Sequence, residues 1–209
     1  MRLGLRWAKI ALISAMATMA VGMLASTSEA AAGCPARTVT TPFTRFGDAN
    51  IYFLAPNGGF ESGTTSWTLS GGASVVSGNE SYNLGSTSDR YSLALPTGSV
   101  ATSSFVCITK DDPSVRFVAR ATGSVYNSLN VSATIRSSAG TVQTVYLGQL
   151  TAGNFASWTP SSIYSYSVNL NMPGMIVNGV SEISFTFSSQ GSSGSWQIDD
   201  VYVDPFKGT

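Results

Sequence analysis

The feature that most restricts this chain's architecture is a strict alternation of apolar and polar side chains. Leu129, Val131, Ala133 and Ile135 alternate with Asn130, Ser132, Thr134 and Arg136. Ile183, Phe185 and Phe187 alternate with Ser184, Thr186 and Ser188, and Val115, Phe117 and Ala119 with Arg116, Val118 and Arg120. A period of two sends successive side chains to opposite faces of a strand, so these segments predict antiparallel sheets with one packed and one wet face. Further strands are expected at 51–54, 67–70, 73–77, 90–95, 100–108, 141–150, 158–168 and 195–204. Turn sequences separate them, among them Pro56-Asn57-Gly58-Gly59, Ser70-Gly71-Gly72, Pro96-Thr97-Gly98 and Gly191-Ser192-Ser193-Gly194. Short strands recurring about every 8–12 residues are the signature of a sandwich or barrel. The expectation is all-β: one antiparallel β-sandwich over residues 51–206, preceded by an N-terminal arm at 33–50. Ser167 to Val180, with Pro173-Gly174 and Asn178-Gly179, is expected to be irregular or a short edge strand.

Residues 1–32 read as a signal peptide, which predicts a secreted protein at the cell surface or outside it. Arg2, Arg6 and Lys9 precede an apolar run from Ile10 to Ala25, followed by small residues through Ala32. The run is shorter than the roughly 20 residues a membrane span needs, and no later segment is apolar enough to be one. Without residues 1–32 the chain keeps 8 basic and 10 acidic side chains. That mildly acidic balance argues against nucleic acid as a partner, which calls for a Lys/Arg stripe. A monomer is expected.

The two cysteines leave two readings. Ala31-Ala32-Gly33-Cys34 loosely resembles a lipid-attachment site, but a polar stretch containing Glu29 separates it from the apolar run. Cys107 offers Cys34 a partner, and paired cysteines in an exported chain favour a disulfide. There is no histidine, which removes every mechanism that needs imidazole as base or ligand. No G-x-S-x-G elbow occurs, and Lys110 and Lys207 are the only lysines beyond the leader. Catalysis is therefore not expected.

Asn57-Gly58-Gly59-Phe60-Glu61-Ser62-Gly63, followed by Trp67, stands near the start of the domain, and Trp196-Gln197-Ile198-Asp199-Asp200-Val201-Tyr202-Val203 at its end. This pairing resembles the galactose-binding-like β-jelly rolls, in particular the carbohydrate-binding modules of bacterial cellulases and xylanases. With Trp67-Thr68-Leu69-Ser70-Gly71-Gly72 and Val76-Ser77-Gly78-Asn79-Glu80, the chain is also similar to a family of small exported bacterial proteins of unassigned function. The jelly-roll resemblance implies a structural calcium where the first and last strands meet, with Glu61 and Asp199 or Asp200 as ligands. Hard oxygen donors suit calcium. Asp199 is expected on the face of Val201 and Val203, pointing inward.

A sugar-binding face would present aromatic rings beside Arg and amide groups. Candidates are Trp158, Tyr164 and Tyr166 in a polar run, Tyr82 in a loop, and Arg116 and Arg136 on polar strand faces. Trp67 and Trp196 are expected in the core. Glu80 with Asp89, and Asp111 with Asp112, read as solvated loop charges. The leading functional reading is a secreted, non-catalytic module that binds carbohydrate, a polysaccharide or cell-envelope glycan, or another cell-envelope component. The alternatives are a surface or structural protein making protein–protein contacts and, third, a small glycan-active hydrolase or lyase.

Overall fold

The computed structural model describes residues 28, 29 and 33–204; the rest of the stretch expected to be a signal peptide lies outside the described residues. In chain order the strands are β1 (Ser28–Glu29), β2 (Arg37–Thr38), β3 (Phe53–Leu54), β4 (Trp67–Ser70), β5 (Ser74–Ser77) and β6 (Tyr91–Pro96). They continue with β7 (Val100–Ser103), β8 (Val106–Ile108), β9 (Ser114–Gly123), β10 (Ser128–Arg136) and β11 (Val142–Thr151). The last are β12 (Thr159–Pro160), β13 (Tyr164–Ser165), β14 (Ser181–Gln190) and β15 (Gly194–Asp204), with one helical turn, α1 (Ser167–Leu170), before β14. No helix among the described residues is long and apolar enough to cross a membrane.

The alternation produces two antiparallel sheets. Sheet I runs β11-β10-β14-β7-β4, with β8 also on β14. Sheet II runs β12-β9-β15-β6-β5, with β13 on β9 and β3 on β15. Their inner faces meet in one core: Leu129 to Ile135 and Ile183 to Phe187 from sheet I pack against Val115, Phe117, Ala119, Leu93, Leu95, Trp196 and Ile198 from sheet II. Phe117 sets its ring edge-on to Phe187 at 4.9 Å. Trp67 is 7% exposed and Trp196 not at all, as expected for core residues. The expected strand at 158–168 survives only as β12 and β13.

The outer face of sheet II is not wet. Val118, between Arg116 and Arg120, is fully buried in a second cluster with Phe43, Tyr52, Trp158 and Tyr202, to which Phe46, Tyr82 and Leu84 add cover. The N-terminal arm supplies much of this lid. It is tied down by the Cys34–Cys107 disulfide, with Cα atoms 5.6 Å apart, and by the bridge between Thr40 and Tyr52. The disulfide is thus the pairing the structure holds.

Candidate functional site

A loop from Gly78 to Arg90, joining β5 to β6, folds over the outer face of sheet II, and carboxylates take up its backbone N–H groups. Glu80 accepts from Leu84 N at 2.7 Å and from Tyr82 N. Asp199 Oδ2 accepts from Glu80 N at 3.0 Å, and Asp200 Oδ2 from Gly85 N at 3.2 Å. Where the loop becomes β6, Glu61 Oε1 accepts from Arg90 N and Tyr91 N, both at 2.8 Å. Glu80 is only 2% exposed, so it organises its own loop and is not the solvated charge expected of it. Asp112 is likewise corrected: fully buried, it pairs with Arg37 of the arm.

Asp199 does not face inward with Val201 and Val203. It stands opposite Val118 in the ladder, and residues directly opposite share a face, so Asp199 lies on the outer side beneath the loop. The register shifts between Asp199 and Tyr202, and Asp200 takes φ 51°. That bulge reverses the alternation between Asp199 and Val201. Both carboxyls are buried and raised well above the usual carboxylate range. Desolvation leads in each, followed by Asp200 for Asp199, and by Glu80 and Asp89 for Asp200. Asp89 is raised too, by burial and by Glu61.

Gly85 is what lets these groups approach. A Cβ there would lie 2.6 Å from Asp89 Oδ2 and 2.9 Å from Asp200 Oδ1, so both oxygens face the same small space. Asp200 Oδ1 is buried without a hydrogen-bond partner. Gly58 serves the same corner, since a Cβ there would meet the Val201 carbonyl at 2.6 Å. Five carboxylates thus gather with no salt bridge to any of them among the described residues. Above them opens a cleft of about 340 Å³, lined by Thr38, Thr40, Leu54, Asn57, Gly59, Glu61, Gly85, Ser86, Asp89 and Tyr202.

Calcium fits this donor set in chemistry: hard oxygens, excess negative charge and an orphaned buried oxygen. Glu61, Asp89 and Asp200 would supply the protein charge. No three acidic or cysteine side chains among the described residues converge tightly enough to hold an ion unaided. Carbonyl and water oxygens would therefore complete the shell. Asp199 spends its oxygens on Glu80 N and Asp200 N and stands apart as a loop anchor.

The aromatic candidates lie elsewhere. Trp158, Tyr164 and Tyr166 are 7%, 8% and 1% exposed, so none offers a free ring; their polar neighbours occupy the outward positions of broken strands. Tyr82 is half-buried and donates to the Trp158 carbonyl at 2.5 Å, pinning the loop. Arg116 lies over Phe43, bonded to Asp48 and to the Ser161 carbonyl. Arg136, on the other sheet, lies over Phe105 and pairs with Glu182. These six residues do not form one surface. The cleft residues that sequence reasoning missed, Thr38, Thr40, Ser86 and Asp89, come from the arm and the loop, where no periodicity marks them.

No family model and no curated protein sequence matches this chain. Carbohydrate-binding modules are among the solved structures similar to it. One is TmCBM61 in complex with β-1,4-galactotriose, at 18% identity and TM-score 0.42, covering 72% of this chain and 96% of that one. Another is the C-terminal family 22 module of Clostridium thermocellum Xyn10B, at 15% identity and TM-score 0.42, covering 75% and 96%. A third is the enzymatically active domain of bacteriophage CBA120 tailspike protein 4, at 20% identity and TM-score 0.44, covering 72% of this chain and 21% of that one. These likenesses concern the sandwich, and the cleft is read from its own residues.

Proposed function

We propose that the protein is a secreted, non-catalytic carbohydrate-binding module that seats a glycan in the cleft above the carboxylate cluster, with calcium at the cleft floor. The observation that carries this reading is the lining. Thr38, Thr40 and Ser86 offer hydroxyls, Glu61 and Asp89 offer carboxylate oxygens, and Leu54 and Tyr202 offer apolar surface. A few convergent polar atoms beside an apolar wall suit a sugar ring, which has both characters. The Asn57 amide is already spent, donating to the Gly63 and Thr65 carbonyls. Glycoside hydrolysis uses one proton donor and one opposed carboxylate. Here Glu61 is engaged as a backbone clamp and Asp199 as a loop anchor, and the unpartnered Asp200 Oδ1 that shares one small space with Asp89 Oδ2 is better explained by a bound cation.

The test is calorimetric titration with galactan- and xylan-derived oligosaccharides and with a polysaccharide panel, in calcium and in EDTA. Ser86→Trp fills the cleft while leaving every acidic residue in place. Binding to at least one glycan, lost in Ser86→Trp at an unchanged melting temperature, is the expected result. Failure to bind any glycan in calcium removes the reading. Release of new reducing ends would move it to the hydrolase.

A further inference from the structure

Among the described residues one long sheet edge has no partner. Sheet I ends at β11, ten residues long, whose backbone makes no hydrogen bond outside its ladder with β10. The other ends of the two sheets are strands of four residues or fewer, one of them carrying Pro160. Exposed edges are ordinarily guarded by charge, proline or brevity. β11 contains neither proline nor charge, and no residue from Ser137 to Ser181 is charged. Its second half is guarded: Leu147 is bulged out of register and the Tyr164 ring lies against Gly148. The first half, Val142 to Tyr146, is open.

That open half is also apolar. Val142 and Tyr146 are 61% and 62% exposed, and Ile163, Val168 and Met172 are exposed on the segment that follows β11 and returns to it. These are five of the nine exposed large hydrophobic residues described, so exposed apolar surface is concentrated along one side of the sandwich.

We propose that this edge pairs with the same edge of a second copy, β11 against β11, antiparallel about a two-fold axis. Unpaired strand backbone selects another strand. A second copy brings an identical ladder, and a charge-free edge meets no like charge when placed against itself. A register centred on Thr144, the middle of the open half, sets Val142 against Tyr146 of the partner subunit and extends sheet I across the dimer.

The test is sedimentation equilibrium of the disulfide-bonded protein from about 1 to about 300 µM, a range that covers weak to moderate affinities. The expected result is a twofold rise in mass with concentration. It should be abolished by Val142→Lys with Tyr146→Lys, which stack like charges across the seam, and retained in Tyr126→Lys at the distant β9–β10 turn. Amide exchange at 142–146 should slow as concentration rises, a readout that needs no variant. A single monomer mass throughout overturns the proposal. So does a dimer that survives the paired lysines, or one lost equally in Tyr126→Lys.

Discussion

One guanidinium nitrogen of Arg37 lies 2.7 and 2.8 Å from the two carboxylate oxygens of Asp112, a side chain with no exposed surface. The same guanidinium lies 4.0 Å above the Phe53 ring and also donates to the Cys107 carbonyl. The contact joins the N-terminal arm to the β8–β9 turn. Arg37→Ala leaves a buried carboxylate unpaired and should cost about 3–5 kcal/mol in urea unfolding. Arg37→Met with Asp112→Leu should recover only part of that, because the Thr109 N–H then loses the Asp112 oxygen it donates to at 2.7 Å. A single variant within 1 kcal/mol of wild type would show that the arm is not held here.

The Cys34–Cys107 bond spans 73 residues of sequence, so in the chain-entropy treatment its loss should cost about 4 kcal/mol. Cys34→Ser with Cys107→Ser should fold with the arm less protected than the sheets. Amide exchange at Thr40 and Tyr52, which bridge to each other, measures this. Unchanged exchange there would mean the second cluster holds the arm without the bond.

The period of two was enough to locate most strands, and the two motif segments were enough to place Trp67 and Trp196 in the core. It could not show that the outer face of sheet II is covered. Val118 sits between two arginines, and what buries it, Phe43 and Tyr52, comes from more than sixty residues away in the chain. Local pattern carries no record of that contact. The bulge at Asp200 had a visible cue, two acids in a row inside an apolar strand, yet alternation alone continued through it and assigned Asp199 to the wrong face. Glu80 looked like a loop charge because its partners are backbone N–H groups, which every sequence offers.

The two core tryptophans should respond differently to the same change. Trp67 donates from Nε1 to the Pro56 and Asn57 carbonyls at 3.2 and 3.1 Å, while Trp196 Nε1 is buried without a partner. Replacing either by Ala should cost about 3–5 kcal/mol for the lost ring. Replacing either by Phe keeps most of the apolar contact but strands two acceptors only at Trp67. Trp67→Phe should therefore be the more destabilising of the two by roughly 1 kcal/mol. The opposite order in thermal melts would show that Trp196 is hydrogen-bonded in solution.

The buried carboxyls of β15, Asp199 and Asp200 by the cleft and Asp204 at the strand's end, should give stability an unusual pH dependence. A carboxyl whose folded pKa exceeds its unfolded value binds more protons folded than unfolded between the two. Stability conferred by such a group is greatest below the unfolded value and falls as pH rises through the window. Asp204, raised to about 6 by burial and only partly offset by its bond from Ser114, predicts such a fall between about pH 4 and pH 6. Asp199 and Asp200, raised by burial and by neighbouring acids, should extend the fall towards neutral pH in EDTA. Calcium would replace the missing protons there, so its effect on melting temperature should grow from pH 5 to pH 8, with about 2.7 kcal/mol gained at a hundredfold excess over Kd. The slope due to Asp204, which lies beside Asp48 and Asp112, should survive calcium. Asp200→Asn removes a buried charge surrounded by like charges and should raise the melting temperature in EDTA while abolishing the calcium shift. Asp89→Asn and Glu61→Gln should weaken that shift. A melting temperature that rises with pH in EDTA, or a calcium shift intact in Asp200→Asn, would place the cation, if one binds, away from this cluster.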